Sequence, residues 1–296
     1  MINQKTYTQE ASVRSELFDI DQLSQYVLCL AIGAEGLRFC AIDQNSRQCL
    51  MLQHYQFFKK LAADDWFNTL HRIYDNDLFL KANYWQNIEI LILEQPFSLV
   101  PREFFEESAP DRYLKYSHPK SPAEVVVVTE QPGTDAFSVF YLEKKLLEWF
   151  RKMYPGREID FNHTSAAFIA GINRQFPDLR TPSLHVLVEG RQMVVVYFSE
   201  GNLRFCNVFG FQQPADILYY LFFTMDELRL EKEKITTYLY GMVLPDSEIY
   251  RTLKLYLSDL VLFRQNPNWI KFHHGFDEIH NHFYFGLYTA FLCQDE

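Results

Sequence analysis

Four of the nine histidines lie in one short segment, whose residue types most resemble a metal site. The segment reads His273-His274-Gly275-Phe276-Asp277-Glu278-Ile279-His280-Asn281-His282. Neutral imidazole and carboxylate groups can bind zinc or nickel. However, the order His-x-Glu-x-x-His is absent and no cysteine lies near, and on a helix His280 and His282 would face different directions. We interpret the segment as a polar helix start, and the alternative is a metal site formed by His273, His274, His280 and His282.

Motifs for nucleophilic or phosphate chemistry are not found in the sequence. It has no Gly-x-Ser-x-Gly elbow, Walker-type loop, Gly-x-Gly-x-x-Gly fingerprint or zincin helix. A glycosidase pair needs two carboxylates at a set separation in a cleft. The acidic pairs lie instead at predicted termini or on helix surfaces: Asp19/Asp21, Asp64/Asp65 and Glu106/Glu107. We interpret all of them as solvated surface.

Composition and charge argue against several classes of protein. The formal charge of −10 and the pI near 5.4 do not fit a surface that binds nucleic acid, which needs clustered Lys and Arg. The five cysteines form no C-x-x-C pair, which is typical of a reducing compartment. No leader-like segment opens the chain, and no apolar stretch approaches the ~20 residues that span a bilayer. We therefore expect a cytoplasmic protein without a membrane span.

Aromatic residues are unusually frequent, at 17% of the chain. One explanation is that bulky side chains fill the cores. The other is an exposed aromatic patch that docks a partner, because Tyr and Trp are enriched where binding energy concentrates. The sequence leaves both explanations open.

One pattern of elements occurs twice. Three short apolar strands joined by tight turns and followed by a helix are predicted within Tyr26–Asp75 and again within Leu184–Glu231. The first helix is predicted over Leu61–Tyr74, and the second begins at Pro214 and continues to about Glu233. A third helix, Ser165–Phe176, has Asn162 or Thr164 as its predicted cap. The repetition indicates two similar half-molecules in one chain.

A boundary between the halves is predicted where two prolines interrupt the segment Pro177–Pro182. A chain of 296 residues also fits two domains. We predict a first lobe over residues 1–178, with an inserted subdomain at about 96–160, and a second lobe over 179–296. An aromatic helix predicted over 279–293 closes the chain and packs back on the first lobe.

This arrangement resembles the actin-like ATPase (ASKHA) superfamily, in particular the branch that contains the pilus protein PilM and the cell-division protein FtsA. More closely, it is similar to a bacterial family of that fold described as a domain of unknown function. The stretch Leu30–Ile42 (LAIGAEGLRFCAI) is similar to the superfamily's first phosphate loop, in which a strand ends in Asp-x-Gly and turns into the next strand. The resemblance implies an α/β fold with mixed sheets, two-lobed and duplicated, actin-like and ribonuclease-H-like.

The chain departs from this superfamily at the positions that bind nucleotide. The resemblance places an Asp where Ala31 stands, with Gly33 and Gly36 retained, and a second Asp where Val188 stands, with Gly190 retained. Glu189 is adjacent to the second position, but strand alternation points it to the opposite face. Of the glycine cluster that contacts adenosine, Gly241 remains. The candidate degenerate loop residues are Ala31, Gly33, Gly36, Val188, Gly190 and Gly241.

Loss of both acidic residues leaves nothing evident to position Mg²⁺ on a triphosphate. We therefore expect no cofactor and no catalysis, and we predict a pseudo-ATPase scaffold or adaptor that binds a protein partner through the interlobe cleft or an aromatic face. One alternative is a divergent ATP-binding protein, ATPase or kinase whose acids come from positions such as Glu94 or Asp160, with ATP and Mg²⁺ as cofactors. Another is a metal-binding regulatory protein centred on the histidine segment.

Overall fold

The structure, a computed structural model, describes residues 6–58 and 61–294 and has fifteen strands and six α-helices within them. The strands are β1 (Tyr7–Arg14), β2 (Tyr26–Gly33), β3 (Gly36–Asp43), β4 (Gln48–Phe57), β5 (Asn87–Ile92), β6 (Phe97–Pro101), β7 (Glu124–Glu130), β8 (Ala136–Glu143), β9 (Ile159–His163), β10 (Ser183–Glu189), β11 (Gln192–Ser199), β12 (Asn202–Gly210), β13 (Thr236–Gly241), β14 (Leu260–Leu262) and β15 (Lys271–Phe272). The helices are α1 (Ala63–Asn76), α2 (Lys144–Met153), α3 (Thr164–Gln175), α4 (Pro214–Glu227), α5 (Glu248–Tyr256) and α6 (Phe285–Thr289).

Two mixed sheets repeat the same strand order. In the first sheet the order is β4-β3-β2-β5-β9, and in the second it is β12-β11-β10-β13-β14. In both sheets the first three of these strands in sequence form an antiparallel meander, in which each strand pairs with the next. The remaining two strands add to it in parallel. This common order confirms the duplicated α/β fold. The first sheet is extended at β4 by β1 and by the short β15.

A small antiparallel sheet lies between β5 and β9 in the chain. Its strand order is β6-β8-β7. Pro101 ends β6, and a short 3-10 turn, Arg102–Phe104, follows it. The amphipathic helix α2 follows β8 directly and buries Leu146, Trp149 and Phe150 in the core of the first sheet.

The two large sheets share a core. One face of the first sheet packs on α1 and α2, and one face of the second packs on α4 and α5. The remaining face of each sheet contributes to a common core that also contains α3 and the segment from Asn281 to Leu292. Alternation along each strand supplies both faces with apolar side chains, which is why these strands are apolar throughout.

Several elements differ from the sequence prediction. No strand is predicted before Tyr26, but β1 lies there as an edge strand that pairs with β4. Helix α4 ends at Glu227 because Arg229 takes a left-handed backbone (φ 54°) and the Leu230 N–H bonds to the Met225 carbonyl at 2.7 Å. This is the Schellman type of helix end, formed here without glycine. The cap of α3 is His163, whose Nδ1 accepts from the Ser165 N–H at 3.1 Å.

The closing aromatic segment is not one continuous helix. It consists of a 3-10 turn (Asn281–Tyr284), the short helix α6 and a second 3-10 turn (Ala290–Leu292). Its side chains pack on β2, β3, α3 and β13, so it contacts both large sheets. Aromatic residues have only moderate helix propensity, and here tertiary packing determines the backbone. None of the helices described in the chain is long and apolar enough to cross a membrane.

Candidate functional site: the paired hairpins and the adjoining groove

The two turns predicted to correspond to phosphate loops contact each other. The β2–β3 turn carries Glu35, and the β10–β11 turn carries Gly190 and Arg191. Arg191 Nε lies 3.4 Å from Glu35 Oε1. A β-carbon added to Gly190 would lie 3.3 Å from Glu35 Oε2. The tips of the two hairpins are therefore joined by the protein's own side chains.

A buried ion pair joins the same two hairpins below their tips. Arg38 on β3 and Glu189 at the end of β10 approach to 3.3 Å between Nη2 and Oε2, and their side chains are only 7% and 6% exposed. Apart from this ion pair, neither oxygen of the Glu189 carboxylate accepts a hydrogen bond within the described residues. Glu189 faces away from Val188, as strand alternation predicted. The pair therefore fixes one sheet against the other.

The surroundings of this pair are polar and tightly packed. Burial raises the pKa of Glu189, and the charge of Arg38 opposes that shift. Burial, helped by Arg38, lowers the pKa of His54 to about 4. His54 Nδ1 lies 3.3 Å from the Tyr284 hydroxyl, and a β-carbon on Gly286 would lie 2.4 Å from Glu189 Oε1. The closing segment therefore covers the ion pair.

The Glu94 side chain extends from the end of β5 to the β2–β3 turn. It lies just beyond that strand with a left-handed backbone (φ 63°). Its Oε2 accepts a hydrogen bond from the Ala34 N–H at 2.8 Å. Its Oε1 would lie 3.0 Å from a β-carbon on Gly190. An amide of the turn that resembles a phosphate loop is therefore already bonded to an internal carboxylate.

The two residues that replace the expected acids lie in different cores. Ala31 is buried in the core shared by the large sheets, whereas Val188 is buried against α4 and α5. The structure therefore does not bring the side chains of Ala31 and Val188 together. Gly33 and Gly36 pair with each other across the first turn.

The packing of the fold explains why position 241 is a glycine, without reference to a nucleotide. Its φ is 91°, and a β-carbon there would lie 2.0 Å from the Val188 carbonyl oxygen. The neighbouring Tyr240 ring is buried among Phe168, Phe263 and Phe285. The position predicted to contact adenosine is thus next to a filled aromatic core.

The histidine segment is divided between surface and core. His273 and His274 lie beside each other on a 3-10 turn, and His280 is exposed. His282 is buried, with Nε2 3.3 Å from the Val243 carbonyl oxygen. Among residues 6–58 and 61–294, no three His, Cys, Asp or Glu side chains are grouped as metal ligands.

The acids named for the alternative ATPase lie apart. Asp160 on β9 is in register with Glu89 on β5, and its Oδ2 lies 3.4 Å from Asn87 Nδ2. Glu94 follows the opposite end of β5. Five residues of strand correspond to about 16 Å, so Glu94 and Asp160 do not form one acidic pair.

A groove of about 1180 Å³ opens beside the paired hairpins. Its walls come from the β2–β3 turn, the starts of α1 and α2, and the ends of β4, β5 and β12. Trp66 forms part of one wall and donates from Nε1 to the Gly33 carbonyl oxygen at 3.0 Å. Apolar lining residues include Phe58, Trp66, Leu146 and Phe211. Among the lining residues that the structure describes, the charged ones are Glu35, Glu94, Glu143 and Arg191, so this part of the groove is net acidic.

Sequence reasoning missed the roles of Arg38 and Glu94. Arg38 could have been noticed as a lone cation within the apolar strand Leu37–Asp43, since a buried charge requires a partner. Glu94 was considered only as a catalytic acid, and the sequence carries no signal that its side chain binds the first turn.

Comparison with known protein families identifies the family of this chain. A family model described as protein of unknown function (DUF3822) matches residues 14–260. The chain belongs to the DUF3822 family. No curated protein matches this DUF3822 chain.

Several solved structures are similar to this DUF3822 protein. A Bacteroides thetaiotaomicron protein with an actin-like ATPase fold and unknown function has 19% identity and a TM-score of 0.72, over 83% of this chain and 94% of that one. PilM in the PilM–PilN type IV pilus biogenesis complex has 12% identity and a TM-score of 0.62, over 90% and 97%. The ethanolamine utilization protein EutJ from Carboxydothermus hydrogenoformans has 7% identity and a TM-score of 0.50, over 95% and 93%. The chain therefore has the actin-like ATPase fold, with a distant likeness to PilM.

Proposed function

We propose that this DUF3822 protein is a non-catalytic actin-like adaptor that works by binding a protein partner. The observation that carries the proposal is the hydrogen bond from the Ala34 N–H to the Glu94 carboxylate. In the superfamily that the fold resembles, backbone amides of this turn hold phosphate. In this chain a carboxylate of the protein takes that position.

Charge at the hairpins also opposes a triphosphate. Glu35 and Glu94 both lie beside Gly190, where an incoming phosphate would meet two carboxylates. Two cations that the structure describes near the hairpins are already engaged, Arg38 with Glu189 and Arg191 with Glu35. Phosphoryl transfer depends on positioned cations and amides. This arrangement therefore favours a protein that either binds nucleotide without hydrolysing it or does not bind nucleotide.

The groove supports the partner-binding part of the proposal. Its apolar walls and excess of carboxylates fit a partner segment with aliphatic or aromatic anchors flanked by Lys or Arg. PilM, a structural neighbour, was solved in a complex with PilN. The exposed aromatic side chains on α4 and α5, Tyr219, Phe223 and Tyr256, offer another apolar face. We favour the groove over this aromatic face as the partner site, because the carboxylates of the groove would select a partner with basic residues.

Calorimetric titration with Mg-ATP, paired with a phosphate-release assay, tests the non-catalytic part. We expect no saturable heat at millimolar nucleotide and no turnover. Micromolar affinity with turnover would overturn the proposal. Tight binding without turnover would favour a divergent ATP-binding protein instead.

Site-specific photo-crosslinking in the native host tests the groove. A photoreactive residue at Gln212, in the groove, is compared with one at Gln44, an exposed position elsewhere. We expect one protein to crosslink from Gln212 only, with loss in Glu143→Lys but not in Glu148→Lys, which makes the same change in net charge away from the groove. Equal crosslinking from both positions, or none from Gln212, would contradict the assignment.

A further inference from the structure

The outer edge of the small sheet is an unpaired strand. β7 reads EVVVVTE and pairs with β8 in one unbroken register. It is the last strand on its side of the sheet. Within the described chain, no backbone hydrogen bond reaches Val125–Thr129 from outside the sheet. These residues thus present free N–H and C=O groups along one edge.

Several other edge strands have features that normally prevent edge pairing. β1 has a register irregularity between Gln9 and Ala11, and so does the β11–β12 pair at Tyr197 and Phe198. β12 also packs near β6, which is short and ends in proline. β14 has three residues. β7 has no proline, lysine, glycine or bulge, so it lacks every one of these features.

The valines of β7 are only partly covered. Val125 and Val127 pack on the core of the first sheet, and Val126 and Val128 pack on the small core beneath the Pro110–Tyr113 turn. All four are half-buried. A strand added at this edge would cover the remaining apolar surface on both faces as well as the free backbone groups.

We propose that β7 is a docking edge, at which an extended segment of a partner protein adds as a fourth strand of the small sheet. This inference rests on the proposed partner-binding function, but it concerns a surface separate from the groove. The backbone supplies affinity in this mode, and side-chain positions along the added strand supply specificity.

Charge at the ends of β7 favours a foreign strand over a second copy of the chain. Antiparallel pairing of two copies about Val127 would place Glu124 opposite Glu130 twice, and like charges directly opposite are destabilising. Glu124 lies opposite Glu143 within the small sheet, is only 12% exposed, and accepts a hydrogen bond from the Ser121 N–H at 2.8 Å. Glu130, at the other end, is 71% exposed and shares Arg102 with Asp135. The fitting partner is therefore a β-branched or apolar strand with a Lys or Arg at the end that lies beside Glu130.

Selection from a phage-displayed random peptide library, followed by hydrogen exchange, tests this edge. We expect enriched peptides with an apolar centre and a basic residue at the end beside Glu130, whose binding slows amide exchange within Val125–Thr129. Glu130→Lys should weaken the selected peptide about fivefold by turning an attraction into a repulsion. Glu148→Lys, with the same change in net charge on α2, should leave binding unchanged.

Each outcome is informative. Slowed exchange in β7 together with the Glu130→Lys effect supports the docking edge. Failure to enrich peptides, or peptides that leave exchange in β7 unchanged, overturns it. Protection of β7 that rises with protein concentration without peptide shows that a second copy covers the edge, which also overturns the inference. None of these results depends on nucleotide, so failure here differs from failure of the non-catalytic proposal.

Discussion

The Glu94 carboxylate accepts a hydrogen bond from the Ala34 N–H at 2.8 Å. This contact links the end of β5 to the turn between β2 and β3, and Glu94 Oε1 would lie 3.0 Å from a β-carbon on Gly190 in the β10–β11 turn. Together with the Arg38–Glu189 and Arg191–Glu35 pairs, it joins the two hairpins to each other and to β5. The turn that resembles a phosphate loop is thus bonded to a carboxylate of the same chain.

Glu94→Ala should destabilise the protein by about 1.5–3 kcal/mol, because a charged hydrogen-bond acceptor is removed from a turn amide. Amide exchange at Ala34 should quicken in parallel. Glu94→Gln keeps an acceptor oxygen and should lose less than Glu94→Ala. Urea unfolding and hydrogen exchange measure both effects, and unchanged exchange at Ala34 in Glu94→Ala would show that the contact is absent in solution.

Arg38→Ala should destabilise the protein by about 3–5 kcal/mol, since it leaves the Glu189 carboxylate buried without a counter-charge. The double variant Arg38→Met with Glu189→Leu removes both charges and should be far less destabilised. A double-mutant cycle that compares Arg38→Met, Glu189→Leu and the double variant by urea unfolding gives the coupling free energy of the pair. Additive effects of the two single changes would mean that the residues do not interact.

Gly241→Ala should be much more destabilising than Gly156→Ala. Both glycines have left-handed φ, which alone costs about 1 kcal/mol for a side chain. A β-carbon at Gly241 would also collide with the Val188 carbonyl, whereas nothing lies within 4 Å of one at Gly156. Thermal or urea unfolding compares the two variants, and equal losses would contradict the close approach of β10 and β13.

Stability should fall as pH decreases from about 6.5 toward 4. Burial lowers the pKa of His54 and His163 to about 4 and that of His185 to about 3, below the ordinary value of 6.5. Between these folded pKa values and 6.5 the unfolded chain therefore binds more protons than the folded chain. The contribution of the three neutral imidazoles to stability is complete above pH 6.5 and is lost as pH falls from there through the folded pKa values. For three groups the slope approaches about 4 kcal/mol per pH unit near pH 5.

Urea unfolding at several pH values between about 7.5 and 5 measures that slope. His54→Gln removes one titrating group and should reduce the slope by about a third. A pH-independent free energy of unfolding across this range would mean that these imidazoles are accessible to protons in the folded protein.

Much of the fold could be predicted from local patterns. Apolar runs separated by tight turns identify β2–β4 and β10–β12, because hairpin strands and their turns are neighbours in sequence. β1 was missed because its residues are largely polar, and pairing at a sheet edge does not require an apolar strand. The end of α4 was missed because Arg229, rather than glycine, adopts the left-handed conformation.

The candidate site could be predicted only in part. The loss of acids at Ala31 and Val188 is visible in the sequence, because those positions are defined by the turns beside them. The contacts around the hairpins are not visible, since they join residues far apart in the chain: Arg38 pairs with Glu189, and Ala34 with Glu94. Such contacts are set by how the two sheets dock, which local periodicity does not encode.

A crystal structure determined in the presence of Mg²⁺ and millimolar ATP tests the central claim most directly. We predict that the Glu94 carboxylate remains bonded to the Ala34 N–H, that Arg38 and Glu189 remain paired, and that no nucleotide lies between the hairpins. Ordered triphosphate with bound Mg²⁺ in that space, with Glu94 displaced from the turn, would contradict the account.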